Sequence, residues 1–199
     1  QDADPSVLLR VVDVPNDGRF LVAFKGTNIG GGNWHYEFAV QNLTSHRAAR
    51  AFTVSLPNGT AVSNVGFHDV DYHSNDGEAS GQSFDGTDWT PIVTSNQVRW
   101  ETDTFASNAN ANALRWGTLY NFRCRANNLP TSLDLTLYRP GTPNSVNVPL
   151  PVPSFTISFP NGTPASVAPN TAVDVDIATN TVGAGPDPST AMGFVSTNG

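Results

Sequence analysis

The chain has 199 residues, 38% of them hydrophobic and only 14% charged, with a net charge of −7. That length holds one domain of ordinary size, or one domain and an incomplete second unit, and enough apolar residues for a packed core. Nine of the ten basic residues are Arg, Lys25 is the one Lys, and no basic run occurs, which argues against nucleic acid and anionic membrane as partners; no apolar run reaches the roughly 20 residues of a membrane-spanning helix.

In chain order the apolar segments read as strands, because they are short and recur with period 2, and nowhere sustain the 3.6-residue period of a helix. Residues 6–14 form a first strand, dense in Val and Leu on both faces. Pro15-Asn16-Asp17-Gly18 turns it back into a strand over residues 19–24. After Gly30-Gly31-Gly32 comes a core strand over 34–43, with Trp34, Tyr36, Phe38 and Val40 on one face. Phe52, Val54 and Leu56 form the next inward set, closed by Pro57-Asn58-Gly59, and residues 60–72 make a further strand. Residues 89–93 and 97–103 are expected to pair as a hairpin in which Val98, Trp100 and Thr102 alternate with Arg99, Glu101 and Asp103. A small-residue connection over 104–113 leads to a long strand over 114–126, where Gly117 suggests a bulge or a close backbone approach. Cys124 alternates there with Arg123 and Arg125; as the one cysteine it excludes an internal disulfide and reads as a buried hydrophobe. Residues 131–139, before Pro140-Gly141-Thr142-Pro143, complete nine strands, enough for two sheets packed face to face.

The character changes at Pro149-Leu150-Pro151-Val152-Pro153, where three prolines in five residues favour an extended linker. The expected organisation is a β-sandwich over 1–148, a linker over 149–153 and a partial β unit over 154–199, with strands near 155–159, 172–178 and 191–197. So few strands bury too little apolar surface to offset an ordering entropy of roughly 1–2 kcal/mol per residue. A neighbouring subunit is expected to complete that unit. The fold class is thus all-β: an antiparallel β-sandwich, jelly-roll or immunoglobulin-like, plus an incomplete C-terminal β unit. The chain starts at Gln1 without an initiator Met or a signal-peptide pattern, which reads as a processed N-terminus and a secreted protein, extracellular or at the cell surface.

The densest polar chemistry lies between residues 62 and 89. As a strand, this stretch puts Phe67, Asp69, Asp71 and His73 on one face, followed by a loop containing Asp76, Asp85 and Asp88. Asp69, Asp71 and His73 are candidate metal ligands, for calcium if the oxygens dominate or for a transition metal if the imidazole joins. The competing reading is a polar strand edge with a loop tied down by Asx-type hydrogen bonds. Carboxylate pairs such as Asp69 with Asp71, or Glu101 with Asp103, stand roughly 6.6–6.8 Å apart on a strand face and approach the separation of an inverting glycosidase. Such pairs are common on wet strands, and no serine elbow, zinc-protease helix or phosphate loop accompanies them, so a non-enzyme without a cofactor is expected. Trp89 and Trp116 are the candidate carbohydrate-stacking residues, Trp34 and Trp100 reading as core. Asn42, Asn58 and Asn161 open Asn-x-Thr patterns and are candidate glycosylation sites.

Between residues 34 and 143, the words Asn64-Val65-Gly66-Phe67-His68-Asp69-Val70-Asp71-Tyr72-His73-Ser74, Asp85-Gly86-Thr87-Asp88-Trp89, Asn112-Ala113-Leu114-Arg115-Trp116-Gly117-Thr118-Leu119-Tyr120-Asn121-Phe122 and Pro140-Gly141-Thr142-Pro143 resemble a family of secreted β-sandwich proteins from planctomycete-type bacteria. The resemblance implies the fold and the location, and it transfers no site residue. In that family a segment similar to Phe159-Pro160-Asn161-Gly162-Thr163-Pro164 opens an immunoglobulin-like unit, which the resemblance implies is partial here.

Two functions follow as expectations. The first is a secreted structural subunit that assembles head to tail with other copies of itself into a filament or surface layer. One copy completes a sheet of the next by strand addition, the donor being residues 6–14 or a strand of 154–199. The second is a carbohydrate-binding or adhesive module whose partners are glycans.

Overall fold

The computed structural model describes residues 3–70, 81, 83–150, 154–158 and 178–182, the last two stretches as backbone. Among the described residues the secondary structure is all β. Ten strands lie in the compact unit Gln1–Leu150, and two more in the unit Pro151–Gly199.

In the first unit β1 (Leu8–Asp13), β2 (Arg19–Gly30), β3 (Asn33–Asn42), β8 (Leu119–Ala126) and β5 (Val62–His68) form one sheet in the order β1-β2-β3-β8-β5. The other sheet runs β10-β9-β4-β7-β6, with β4 at Ala49–Ser55, β6 at Thr90–Val93, β7 at Gln97–Glu101, β9 at Ser132–Leu137 and β10 at Ser145–Val148. Every pairing is antiparallel. Contacts of β1 with β10 and of β5 with β6 lay the two sheets edge over edge, the arrangement of a β-sandwich. In the second unit β11 (Ser154–Ser158) pairs antiparallel with β12 (Ala178–Val182).

Alternation builds the core. In β8 the inward Tyr120, Phe122, Cys124 and Ala126 are buried while Leu119, Asn121, Arg123 and Arg125 are exposed. Phe122 of β8 packs against Phe52 of β4 at 4.9 Å between ring centroids and against Trp100 of β7 at 5.3 Å, joining the two sheets through interior strands. Burial of each such ring stabilises the fold by about 1.5–3 kcal/mol.

Three elements differ from the sequence reading. The long strand expected over 114–126 is interrupted: Leu114 makes an isolated bridge to Ala49 beside the second sheet, and β8 begins only at Leu119 in the first. Between them Gly117 adopts φ +80°, which glycine accommodates without strain, in a turn closed by Thr118 N–H on the Arg115 carbonyl at 3.1 Å. β2 continues to Gly30, because Lys25 to Asn28 pair with Trp34 to Glu37 of an equally long β3. β10 is a tenth strand that its two-residue apolar pattern, Val146 and Val148, was too short to announce. Of the strands expected in the second unit, β11 covers most of the first. β12 starts where the second ends, and residues 191–197 lie outside the described residues.

Candidate functional site

Asp69, just past β5, continues the inward face of Phe67 and is buried. Phe67 stacks on Trp89 at 5.7 Å and 11°. Beside them lies Asn112, fully buried, whose Nδ2 donates to the Asp69 carboxylate and to the Thr87 carbonyl at 3.0 Å. Its Oδ1 accepts the Tyr120 hydroxyl at 2.6 Å, and its backbone carbonyl accepts the Trp89 indole N–H at 2.5 Å. Asp69 therefore anchors the segment after β5 to the core. Asp71 and His73 lie outside the described residues, and among the described residues no three His, Cys, Asp or Glu side chains gather as a metal site.

Trp89 is 1% exposed and offers no face to a sugar, which corrects its reading as a stacking residue. Its indole fills the space between Phe67, Tyr120 and Phe122, where burial of a large ring is favourable. Trp116 is 71% exposed, at the apex of the turn over residues 115–118. Asn42 is likewise corrected as a glycosylation site: it is fully buried, both Nδ2 hydrogens are donated, to the Ser45 carbonyl at 2.9 Å and the Leu114 carbonyl at 3.0 Å, and Oδ1 accepts the Ser45 N–H. Asn58 is exposed in its turn, and Asn161 lies outside the described residues.

A cleft of about 600 Å³ opens at the β6–β7 end of the second sheet, lined by Arg50, Asp85, Asp88, Glu101, Asp103 and Ser107 among others. Its carboxylates are partly engaged. Glu101 Oε2 accepts Arg99 Nε at 2.8 Å and Arg50 Nη2 at 3.3 Å. Asp85 accepts the Thr87 hydroxyl at 2.6 Å and the Thr87 N–H at 2.9 Å in an Asx turn, and these bonds hold its carboxyl below the usual range. The described lining contains no His, Cys or Lys; its polar groups are carboxylates, hydroxyls and the Arg50 guanidinium, which offer acceptors and donors for hydroxyl groups.

The four sheet edges differ in a way that alternation alone does not disclose. In an antiparallel pair, residues whose N–H and C=O bond the neighbour alternate with residues whose groups point away. The Val14 N–H on the Gly18 carbonyl, 2.7 Å, sets this phase for β1 and β2. Leu8, Arg10 and Val12 bond β2, and Leu9, Val11 and Asp13 direct their backbone groups to the free edge. The Leu9 carbonyl accepts Arg10 Nη1 at 3.0 Å, and the Arg10 Nε donates to the Pro149 carbonyl at 3.0 Å. The backbone groups of Val11 and Asp13 have no partner among the described residues. Two of the three flanking side chains are apolar, Leu9 at 39% and Val11 at 51% exposed, the third being Asp13, paired with Arg19; the Val11 row continues across the outer face to Leu21, Gln41 and Leu119.

The other edges are blunted. The Thr94 N–H on the Gln97 carbonyl fixes the phase of β6, so Pro91 faces outward where it has no N–H to offer. β5 carries a register shift between Ser63 and Gly66 with Asn64 at φ +48°, and Arg123 lies so close over Gly66 that a Cβ there would stand 2.6 Å from its guanidinium carbon. β10 has four residues and runs into Pro149.

β1 is also firmly held in place. The Asp17 carboxylate accepts the Ser45 hydroxyl, His46 N–H at 3.1 Å and Arg47 N–H at 3.2 Å, fastening the β1–β2 turn to the loop after β3. At the other end Lys25 Nζ donates to Asp4 at 2.7 Å, and this bond with that of Ser6 holds the Asp4 carboxyl at about 2. No protein-family model matches the chain, and no curated protein or solved structure is significantly similar to it.

Proposed function

We propose that the protein is a secreted structural subunit that assembles with other copies of itself by β-strand addition at the β1 edge, building an extracellular filament or surface layer. The observation that carries this reading is the contrast among the four edges. Three carry proline, a register shift or extreme shortness, and β1 is the least guarded: it is regular over six residues and free of proline, with exposed Leu9 and Val11 beside Asp13, and its Arg10 engages the Leu9 carbonyl alone among the outward backbone groups. A strand laid there gains main-chain hydrogen bonds from Val11 and Asp13 and apolar contact on the outer face. β1 is thus the acceptor in this reading, and the donor comes from residues 154–199. Secretion agrees with the neutral polar surface and with the resemblance to secreted β-sandwich proteins of planctomycete-type bacteria.

The test is the mass and appearance of the full chain in solution before and after Val11→Pro. That change removes one outward N–H and leaves the β1–β2 bonds intact, because Val11 makes none of them. Loss of assemblies with retained fold supports the reading, and assemblies that persist overturn β1 as the acceptor.

The exposed Trp116 indole on an ordered turn favours a second reading, a carbohydrate-binding or adhesive module. Quenching of tryptophan fluorescence by soluble glycans, lost in Trp116→Ala, is its required result.

A further inference from the structure

We infer that the outer face of the first sheet, around Arg123 and Arg125 of β8, binds the carboxylate or sulfate groups of an acidic polysaccharide. This site lies apart from the β1 edge and does not rest on strand addition; Trp116 stands beyond the opposite end of β8. Both arginines are exposed, two residues apart on one face of an interior strand, and neither makes an ion pair or donates a side-chain hydrogen bond among the described residues. Each of the other arginines meets a carboxylate, a backbone carbonyl or an aromatic ring. In a chain of net charge −7, two adjacent guanidinium groups without an acceptor form a local site for an anion, which such groups bind through charge-assisted hydrogen bonds.

The register of the sheet builds the rest of the site. Thr27, His35, Arg125 and Ser63 stand opposite one another on β2, β3, β8 and β5, so a row of hydrogen-bonding side chains without a carboxylate crosses the face. In the neighbouring row Lys25, Glu37, Arg123 and Gly66 are aligned. Its two cations differ: Lys25 is bound by Asp4, whereas Arg123 has no such partner, because the Glu37 carboxylate stands 3.8 Å from His35 Nε2 and makes no ion pair with either arginine. Gly66 provides the seat of Arg123. A Cβ there would stand 2.6 Å from the guanidinium carbon and Nε, so the side chain lies over bare backbone in a position that a larger residue would displace.

The same face decides the class of ligand. A peptide that binds by main-chain hydrogen bonds needs a free strand edge, and β3 and β8, which carry His35 and both arginines, are interior strands. A nucleic acid or polyphosphate carries dense negative charge, which the net charge of −7 repels. A polysaccharide whose anionic groups are spaced by neutral sugars meets the guanidinium groups with its charges and the Thr27 and Ser63 hydroxyls, on either side of them, with its own.

The test is the affinity of the full chain for carboxymethyl dextran of low substitution, with plain dextran and polyglutamate as references. Binding to the carboxymethyl form alone is expected, weakening as salt is raised. Arg123→Gln and Arg125→Gln are each expected to lower the affinity at least about tenfold, the effect of removing a hydrogen bond to a charged group, with the thermal midpoint retained. Gly66→Ala is expected to reproduce the loss of Arg123→Gln. Arg19→Gln, whose arginine pairs with Asp13 at the far end of β2 from Thr27, is expected to leave binding unchanged. No binding, equal binding of plain dextran, or an equal loss in Arg19→Gln overturns the inference, and so does binding lost in Trp116→Ala while both arginine variants retain it. Polyglutamate bound as tightly assigns the face to an acidic protein segment and overturns the polysaccharide. Parental affinity in Gly66→Ala overturns the role of Gly66 as the seat of Arg123.

Discussion

At the scale of single residues, Asn112 does more than any charged group to hold the polar segment in place. Its amide engages the Asp69 carboxylate and the Tyr120 hydroxyl in the buried interior, and the Thr87 carbonyl nearer the surface. Asn112→Ala leaves a buried carboxylate short of a donor and is expected to cost about 2–3 kcal/mol in chemical denaturation, with the circular dichroism of the native state unchanged. A loss below about 0.5 kcal/mol, the range of ordinary surface changes, would contradict the anchoring role. Cys124 is legible to the same standard. Burial pushes its thiol up from 9.0 to about 12, so thiol reagents at pH 8 are expected to leave it unmodified until the protein unfolds. The sign of the linked pH effect follows: the unfolded thiol ionises near 9 while the folded one keeps its proton, so this group favours unfolding progressively as pH rises from about 9 to about 12. Denaturation midpoints measured across that window test it, and Cys124→Ser removes that part of the slope.

Among the elements, the β1–β2 hairpin carries the account. Gly18 is essential to it because a Cβ at this position would stand 2.3 Å from the Thr44 carbonyl oxygen, a backbone atom that cannot swing aside. Gly18→Ala is expected to cost about 1–3 kcal/mol and to lower the thermal midpoint by several degrees. An unchanged midpoint would show that the turn is not fastened to the loop over residues 44–47. The strands themselves were readable from the sequence wherever one face is buried and the other wet, as in β3, β7 and β8, because the period-2 pattern records the difference in solvent directly. Register was not readable. Phe67 and Asp69 share an inward face as expected, yet nothing in their spacing announces that Asn112, 43 residues further on, meets Asp69. Trp89 looked accessible because it follows a polar loop, and Asn42 because it sits in an acceptor pattern. The pairings that bury them involve residues 67, 114, 120 and 122, distant in sequence. Pro91 illustrates the same point: the sequence shows a proline, and only the hydrogen-bond phase of β6 shows that it blunts an edge.

For the molecule as a whole, the ten-stranded sandwich of the first unit leaves β1 as its least guarded edge, and the proposed assembly rests on that asymmetry. The two-stranded pairing of β11 with β12 is by itself too small for independent stability. In the proposed assembly acceptor and donor lie at different places in the chain, so the contact is heterologous and gives an open filament wherever its rotation does not close a ring. The outer row Val11, Leu21, Gln41 and Leu119 is mostly apolar, so the proposed assembly is expected to weaken on cooling, since apolar burial loses strength at low temperature. The most direct measurement is electron microscopy of the purified full chain, paired with its mass in solution, for the parent protein and for Val11→Pro. The account predicts extended assemblies for the parent and a folded monomer of 21.1 kDa with an unchanged thermal midpoint for the variant. A parent protein that stays at 21.1 kDa at every concentration tested would contradict it.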